Sequence, residues 1–292
     1  MNVAAILASH NRCSQTLRCL ESYYAQDVDA EVELTATLVD GGSTDCTVQA
    51  VRERFAATRV IERGADLFWA GAMAIAERAA VADDPDYVLW LNDDVRLDRS
   101  ALRRLLGVAT GAGNTAIAIG ALRDPSTAEV TYSGVQRTGF HPLRMELITP
   151  RDVPMSVETF NGNVVLVPRA VRRKVGAMDG ALVHSAADYD YGLRAIEVGV
   201  TNLLVPGTIG ICDRDGVEQP WRDGSISIRE RVTLLFGPKG LPPRPRVRYL
   251  RRHGGRAWPL FWAWSYVRAM PQIFWPGVDE EAEERRPDNW RD

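Results

Sequence analysis

Two adjacent aspartates follow a short apolar segment, VLWL, at residues 88–91. They are Asp93 and Asp94, and they come directly after Asn92. Neighbouring carboxylates repel each other and lose hydration at the end of a buried strand. Carboxylate oxygens suit hard divalent cations, which also bridge phosphate oxygens. The pair therefore predicts a cation–phosphate site in which a cation alone relieves the repulsion; the alternative is that both aspartates cap the next helix or stay hydrated.

Two further polar clusters also follow apolar segments. The first is Ser9-His10-Asn11-Arg12, and the second is DGGSTD, which begins at Asp40 and ends at Asp45. We expect Asp40 to be free to accept hydrogen bonds from a ring nitrogen or a ribose hydroxyl of a ligand. Asp45 is expected to cap the following helix. For the two glycines and Asp45, an ordinary strand–turn–helix connection is the favoured interpretation.

A second pair of carboxylates lies in the segment ADYDYGLRAIEVGV. Asp188 and Asp190 fall in the first turn of a predicted helix, where the helix dipole favours negative charge. Capping of the helix N-terminus is therefore the structural interpretation of both acids, and a general base would in addition have to lie within hydrogen-bond reach of an acceptor. Arg194 is spaced to form an i,i+4 ion pair with Asp190.

Strand and helix patterns alternate through the first 120 residues. Continuous apolar strands with helices between them predict an α/β fold, in which a mostly parallel sheet has helices on both faces. Ligands of such sheets bind at the carboxyl ends of the strands. The predicted strands that end in polar clusters are 3–9, 34–40 and 87–91, and the predicted helices near them are 14–26, 47–55, 70–82 and 100–109.

Composition narrows the class of protein. The chain has 292 residues, 25% of them charged, and a net charge of −3, which gives no bulk attraction to nucleic acid. Its four cysteines show neither a CxxC pair nor zinc spacing, so we expect reduced thiols and a cytoplasmic protein. The apolar N-terminus lacks a preceding basic region and is interpreted as a first strand rather than a signal peptide.

The C-terminal region differs from the rest. Residues 239–256 are strongly basic, and residues 258–276 are rich in tryptophan. Such a region could dock on the inner face of an anionic membrane. Packing of the tryptophans against the core or in a homodimer is favoured, because Pro259, Pro271 and Pro276 should interrupt a long amphipathic helix.

Four segments in this order resemble the motifs of family 2 glycosyltransferases, rhamnosyltransferase-like bacterial members included. They are VAAILASHNR, LVDGGSTDCTV, VLWLNDDVRL and FNGNVVLVPRAVRRKVGAMDG with the following ADYDYGLRAIEVGV. The resemblance implies a GT-A fold in residues 1–210, with a nucleotide-binding half (1–110) and an acceptor-binding half (111–210). Residues 211–292 form a C-terminal extension. A Rossmann dehydrogenase is disfavoured because no GxGxxG follows the first strand.

The resemblance also implies roles for residues. The enzyme would be an inverting glycosyltransferase that moves a sugar from a UDP-, dTDP- or GDP-linked donor to a hydroxyl of a glycan or lipid-linked acceptor. Asp94 would bind Mg²⁺ or Mn²⁺ at the diphosphate, and Asp188 would be the base. The residues implied in donor binding are Ser9, Asn11, Arg12, Asp40, Asn92, Asp93 and Gly162.

The sequence departs from the family pattern at two points. Ala187 stands where an acidic residue usually precedes the base, and Cys212-Asp213 stand near the place of a third metal ligand. His184 is not assigned to the metal. Two alternatives therefore stay open: a nucleotidyltransferase, although no glycine-rich loop follows the first strand, and a non-catalytic nucleotide- or carbohydrate-binding protein.

Overall fold

The structure is a computed structural model that describes residues 1–64, 66–183, 186–212 and 220–274. The chain divides into an N-terminal unit, Met1–Asp215, and a C-terminal unit, Gly216–Asp292. This division lies close to the predicted boundary after residue 210. The assignment of residues 1–110 and 111–210 to nucleotide and acceptor binding stays a prediction.

The elements of the N-terminal unit follow the predicted alternation. Its strands are β1 (Asn2–Ser9), β2 (Glu33–Asp40), β3 (Thr58–Glu62), β4 (Tyr87–Leu91), β5 (Arg96–Leu97), β6 (Ala116–Arg123), β7 (Val130–Tyr132), β8 (Gly134–Arg137), β9 (Met145–Leu147), β10 (Met155–Val157), β11 (Thr159–Phe160), β12 (Val164–Pro168) and β13 (Thr201–Ile211). Its α-helices are α1 (Cys13–Tyr24), α2 (Thr47–Arg54), α3 (Trp69–Val81), α4 (Ala101–Gly111), α5 (Arg169–Val175) and α6 (Ala187–Glu197).

The main sheet has the strand order β10-β13-β6-β12-β4-β1-β2-β3. Strands β4, β1, β2 and β3 are parallel, as are β13 and β6, whereas β12 is antiparallel to both of its neighbours. Short strands β5 and β7 extend this sheet, and β11, β8 and β9 form a second one. The predicted α/β class with a mostly parallel sheet is confirmed.

Strand register brings the polar clusters to one edge of the sheet. The last residue of β1, Ser9, is paired with Asp40, the last residue of β2. In β4 all five residues are buried, and its last residue, Leu91, is paired with Val164 at the start of β12. The segments that follow β1, β2 and β4 therefore leave the sheet together, and Gly162 enters it beside them.

The C-terminal unit contains α7 (Ile228–Phe236), α8 (Pro243–His253) and α9 (Trp258–Phe274). Ser227 and Glu230 form a capping box at the start of α7, which fixes the beginning of that helix. Pro259 and Pro271 do not interrupt α9, contrary to our expectation. Pro259 lies in the first turn, where its missing N–H has no helical partner to lose. Pro271 lies inside the helix near its end and cannot donate to the Val267 carbonyl, yet the helix continues to Phe274. Pro276 is outside the described residues.

Cysteine pairing also corrects the sequence interpretation. Cys13 and Cys46 form a disulfide, so the expectation that every thiol is reduced is wrong for these two. Their pairing depends on the proximity of two loops that are 33 residues apart in the chain. Cys19 and Cys212 are free and buried. Burial raises the pKa of the Cys19 thiol, which donates to the Asn92 carbonyl.

Candidate active site

The loops that follow β1 and β2 are bonded to each other. The Asn11 amide donates to Ser43 Oγ at 2.8 Å, and Asn11 Oδ1 accepts from the Thr44 amide at 2.7 Å. Asn11 has a φ of +52°, a conformation that asparagine tolerates better than most residues. The disulfide between Cys13 and Cys46 joins the same loops. Ser9 and Asn11 thus belong to one rigid edge with the DGGSTD segment.

Asp40 organises its own loop. Its Oδ2 accepts from the amides of Gly42 and Ser43, and its Oδ1 accepts from the Ser43 hydroxyl. Gly42 has a φ of +78°, which explains a glycine at this turn. The expectation that Asp40 is free of protein partners is therefore wrong, whereas its role toward a ligand stays a prediction. Asp45 accepts from the Thr47 amide at the start of α2, as predicted.

Asp93 is buried, with only 5% of its surface exposed. Burial and the neighbouring charge of Asp94 raise its pKa to about 6. The hydroxyls of Ser9 and Thr16 are hydrogen-bonded to each other at 2.8 Å, and Thr16 Oγ1 lies 3.5 Å from Asp93 Oδ2. The Asp93 carboxyl is therefore neither hydrated nor a helix cap, and both alternatives to a site role are excluded for this residue.

Arg12 provides a positive charge opposite the two aspartates. Its Nη1 lies 2.8 Å from Asp94 Oδ2 and 3.4 Å from Asp93 Oδ1. An arginine in this position attracts both carboxylates and lowers the pKa of Asp93 against the effect of burial. The expectation that only a bound cation relieves their repulsion is therefore wrong, because Arg12 relieves part of it. The thiol of Cys212 also approaches Asp94 Oδ1, at 3.5 Å.

Trp69, at the start of α3, connects the Asn92 end of the site to Asp188. Its indole Nε1 donates to Asn92 Oδ1 at 2.8 Å. A Cβ atom built on Gly162 would lie 2.6 Å from Trp69 Cη2 and 3.2 Å from Asp188 Cβ. The indole also packs edge-on against Trp90, with ring centroids 6.5 Å apart. Trp69 is only partly buried. It both packs against the core through Trp90 and contacts the site through Asn92.

Asp188 lies at the beginning of α6 and is partly exposed. Its Oδ2 accepts from the Gly162 amide at 2.9 Å, and its Oδ1 accepts from the Tyr189 amide at 2.8 Å. Loss of hydration among the surrounding side chains raises the pKa of Asp188 to about 6, although the two hydrogen bonds lower it. A carboxylate with such a pKa is a better proton acceptor than a hydrated aspartate and is still ionised near neutral pH. Ala187 beside it is buried and contributes no charge.

Asp190 has a structural role on the same helix. Its carboxylate is fully buried and lies 2.8 Å from Arg194 Nε, which confirms the predicted i,i+4 ion pair. Arg194 also donates to the carbonyls of Val175, the last residue of α5, and of Ala177 just after it. Of the two acids in the first turn, only Asp188 is available to an acceptor.

Gly162→Ala should disturb the site because its methyl group would meet Trp69 on one side and Asp188 on the other. We expect a loss of about 1–3 kcal/mol in unfolding free energy, with a drop in any activity that needs Asp188. Denaturant unfolding measures the first effect. The matched control is Gly107→Ala in α4, where a Cβ meets nothing within 4 Å and helix propensity should stabilise slightly. If Gly162→Ala were as stable and as active as wild type, the close packing of Gly162 between Trp69 and Asp188 would be contradicted.

Sequence reasoning missed Thr16, which looked like an ordinary helix residue. Arg12 was expected in donor binding and Cys212 near the place of a third metal ligand, but their contacts with Asp93 and Asp94 were not foreseen. Asp213 and His184 lie outside the described residues. The predicted site residues after β1, β4 and before β12 do come together through Arg12 and Trp69.

A mostly parallel α/β sheet with carboxylates at the ends of its strands, and a further carboxylate on a nearby helix, is the arrangement that the resemblance to GT-A glycosyltransferases implies. The model for Glycosyl transferase family 2 matches residues 4–175. The chain belongs to that family, and the predicted resemblance is confirmed.

Known relatives agree with this assignment. An N-acetylglucosaminyl-diphospho-decaprenol L-rhamnosyltransferase of Mycobacterium tuberculosis is 27% identical over 215 residues, which cover 64% of this chain and 69% of that protein.

Solved structures that share the GT-A fold support the fold alone, since their identities are low. GalNAc-T7 with UDP, GalNAc and Mn²⁺ has a TM-score of 0.60 and 13% identity over 80% of this chain, which spans only 47% of that protein. The mannosyltransferase PcManGT of Pyrobaculum calidifontis with GDP-Man and Mn²⁺ has a TM-score of 0.56 and 18% identity over 93% of this chain and 72% of that one. TarS of S. aureus in complex with UDP has a TM-score of 0.53 and 14% identity, over 80% and 70% of the two chains.

Proposed function

We propose that this glycosyltransferase is metal-dependent and inverting, and that it moves a sugar from a nucleoside-diphosphate sugar to an acceptor hydroxyl. One observation carries the proposal. The carboxylates that follow β4 and the raised-pKa carboxyl of Asp188 are linked through Asn92, Trp69 and Gly162. Donor-side and acceptor-side groups therefore share one rigid connection, which suits a reaction between two bound molecules.

The donor would bind along the edge formed by β1, β2 and β4. Asp40 shapes the loop that faces the nucleoside, and the joined loops of Asn11 and Ser43 fix its position. Ser9 supports Asp93 through Thr16, and Asn92 and Asp93 would contact the ribose and the donor sugar. Arg12 is placed to meet the negative charge of the diphosphate when it leaves the carboxylates.

Asp94 is the residue proposed to hold Mg²⁺ or Mn²⁺. Among the described residues, no group of three or more His, Cys, Asp and Glu side chains forms a metal cluster. Two adjacent carboxylates still fit such an ion, because Mg²⁺ is often bound by one or two carboxylates together with phosphate and water. Burial and, after it, the charge of Asp94 raise the pKa of Asp93, and a bound cation would offset both effects. When bound, the ion would stabilise negative charge on the departing diphosphate.

Asp188 is the proposed general base. Its carboxylate would take the proton of the acceptor hydroxyl, whose oxygen attacks the anomeric carbon on the face opposite the diphosphate. The amides of Gly162 and Tyr189 hold the carboxylate in place for this proton transfer. Direct attack in one step would invert the anomeric configuration.

We further propose a lipid-linked glycan as the acceptor and a deoxyhexose as the sugar. The support is the similarity to the mycobacterial L-rhamnosyltransferase, whose name specifies a diphospho-decaprenol acceptor. Such an acceptor would bring the chain to the cytoplasmic face of a membrane. The contact of the C-terminal region with a membrane or with a second copy is part of this proposal. The described residues include no helix long and apolar enough to cross a membrane.

A thermal-shift panel of UDP, dTDP and GDP, each with and without Mn²⁺, tests the donor proposal. We expect one nucleotide to raise the melting temperature only when Mn²⁺ is present, because a ligand at 100 times its Kd stabilises a folded protein by about 2.7 kcal/mol. The matching nucleotide-sugar should then release its diphosphate in the presence of an acceptor. Stabilisation without sugar transfer to any acceptor would favour a non-catalytic binding protein instead.

A further inference from the structure

Helix α9 presents apolar side chains on two opposite faces. Its inner face contributes Ala269 and Ile273 to the small core of the C-terminal unit, where they pack with Trp221 and Leu235. Ser265, one turn before Ala269, is buried on the same side. These contacts attach α9 firmly within its own unit. Several side chains on the opposite side of the helix are exposed.

The outer face of α9 consists of Leu260, Trp264, Val267 and Phe274. These side chains are 72%, 53%, 57% and 46% exposed, respectively. Spacings of four, three and seven residues return to the same side of a helix with 3.6 residues per turn, so the four form one stripe along the helix. A continuous exposed apolar stripe of this kind marks an interaction surface.

The sequence that leads into α9 and forms it carries charge of one sign. From Arg231 to Phe274 the sequence contains nine Lys and Arg residues and no Asp or Glu. Arg268 follows Val267 on α9, and Arg256 lies just before the helix; both are exposed. Any partner of the outer face must therefore accept both apolar side chains and a positively charged border.

We propose that the outer face of α9 docks in the plane of an anionic lipid bilayer. Apolar side chains can enter the acyl boundary while arginines meet anionic headgroups. A second copy of this chain fits less well, because a two-fold interface would bring the same positive tract against itself. This inference rests on the proposed function, because a docked enzyme would meet its lipid-linked acceptor at the membrane surface.

Flotation of the full chain with vesicles tests the surface directly. At low salt, we expect binding to vesicles of equal parts phosphatidylcholine and phosphatidylglycerol to be at least about tenfold stronger than to pure phosphatidylcholine. The triple variant Leu260→Gln/Trp264→Gln/Val267→Gln should lower the partition coefficient at least about tenfold. Glutamine keeps helix propensity, so α9 should persist. The matched control is Phe140→Gln/Val153→Gln, two exposed apolar residues of the N-terminal unit, which should bind like wild type.

Further readouts separate the apolar from the charged contribution. Arg256→Gln/Arg268→Gln should bind anionic vesicles several-fold more weakly and with less dependence on salt. Quenching of tryptophan fluorescence by brominated lipids should fall in Trp264→Phe, because this indole would enter the bilayer.

Several outcomes would overturn the proposal. One is the absence of binding to anionic vesicles, and another is a triple variant that binds like wild type. A wild-type dimer in light scattering that the triple variant dissociates, without vesicle binding, would assign the face to a second copy. The proposed function is tested apart from this surface by a water-soluble acceptor without a lipid tail. Transfer to that acceptor should be equal in wild type and the triple variant, and its absence in both would contradict the function only.

Discussion

Asp188→Asn is expected to lower the turnover of sugar transfer about a thousandfold, while the nucleoside diphosphate still binds with wild-type affinity. General-base catalysis typically contributes a factor of about 10²–10⁴, and an amide cannot accept the proton of the acceptor hydroxyl. Asn can keep the hydrogen bond from the Gly162 amide through its own oxygen. Transfer kinetics and calorimetric titration of the diphosphate measure the two quantities. Glu197→Gln, on the same helix and exposed, is the matched control.

The pH dependence of turnover gives an independent test of the same base. Since Asp188 has a pKa of about 6 and must be ionised to accept a proton, turnover should fall as pH decreases through about 6. A profile that is flat between pH 5 and pH 8, or an Asp188→Asn variant that transfers sugar normally, would show that another group is the base.

The same substitution should not destabilise the protein at pH 8. The pKa of Asp188 is higher in the folded chain than the ordinary value of 3.8, so protonated Asp188 favours the folded state. That contribution is present below about pH 4 and is lost as pH rises to about 6. Above pH 6 the ionised carboxylate costs stability, and Asn removes this cost. We expect the unfolding free energy of the variant to match or exceed that of wild type by up to about 2 kcal/mol.

Asp94→Ala should abolish the divalent-dependent part of nucleotide binding. Even residues that only orient metal ligands change affinity by about 10–100-fold, so removal of the proposed ligand should weaken binding in Mn²⁺ at least about a hundredfold. Titration of the diphosphate with and without Mn²⁺, together with electron paramagnetic resonance of Mn²⁺ bound to the protein, measures this. The chain should stay folded, because Arg12 keeps Asp93 as a partner.

The control for Asp94 is Asp124→Ala, an aspartate that also follows a strand and accepts hydrogen bonds from nearby amides. This variant should bind Mn²⁺ and nucleotide like wild type. Unchanged dependence on Mn²⁺ in Asp94→Ala would remove Asp94 from the metal site and show that other groups hold the ion.

The fold was predictable because the sequence patterns that indicate it lie within single strands and helices. Continuous apolar segments such as β4 need cover on both faces, and the helices between them supply it. Loops that follow parallel strands also leave the sheet at one edge, so the sequence alone places Ser9, Asp40 and Asn92 together. The pair Asp190 and Arg194 was equally accessible, since helical spacing alone brings them into contact.

The missed contacts join residues that are distant in sequence. Arg12 and Asp94 are 82 positions apart, and no periodicity connects them. The sequence does not show whether Trp69 packs in the core or lies at the site. Its contact with Gly162, beside Asp188, shows that it lies at the site as well as in the core. The continuity of α9 was misjudged for another reason. Pro259 occupies the first turn, where a proline removes no helical hydrogen bond, and α9 also continues through Pro271 near its end.

The disulfide between Cys13 and Cys46 has a consequence for the thermodynamics of ligand recognition. A loop that orders only upon binding subtracts its lost conformational entropy from the affinity. Here the loops after β1 and β2 are covalently joined, and that entropy is already lost when the chain folds. The nucleoside end of the proposed donor site is therefore preorganised, and it would receive its ligand as a rigid surface rather than by induced fit.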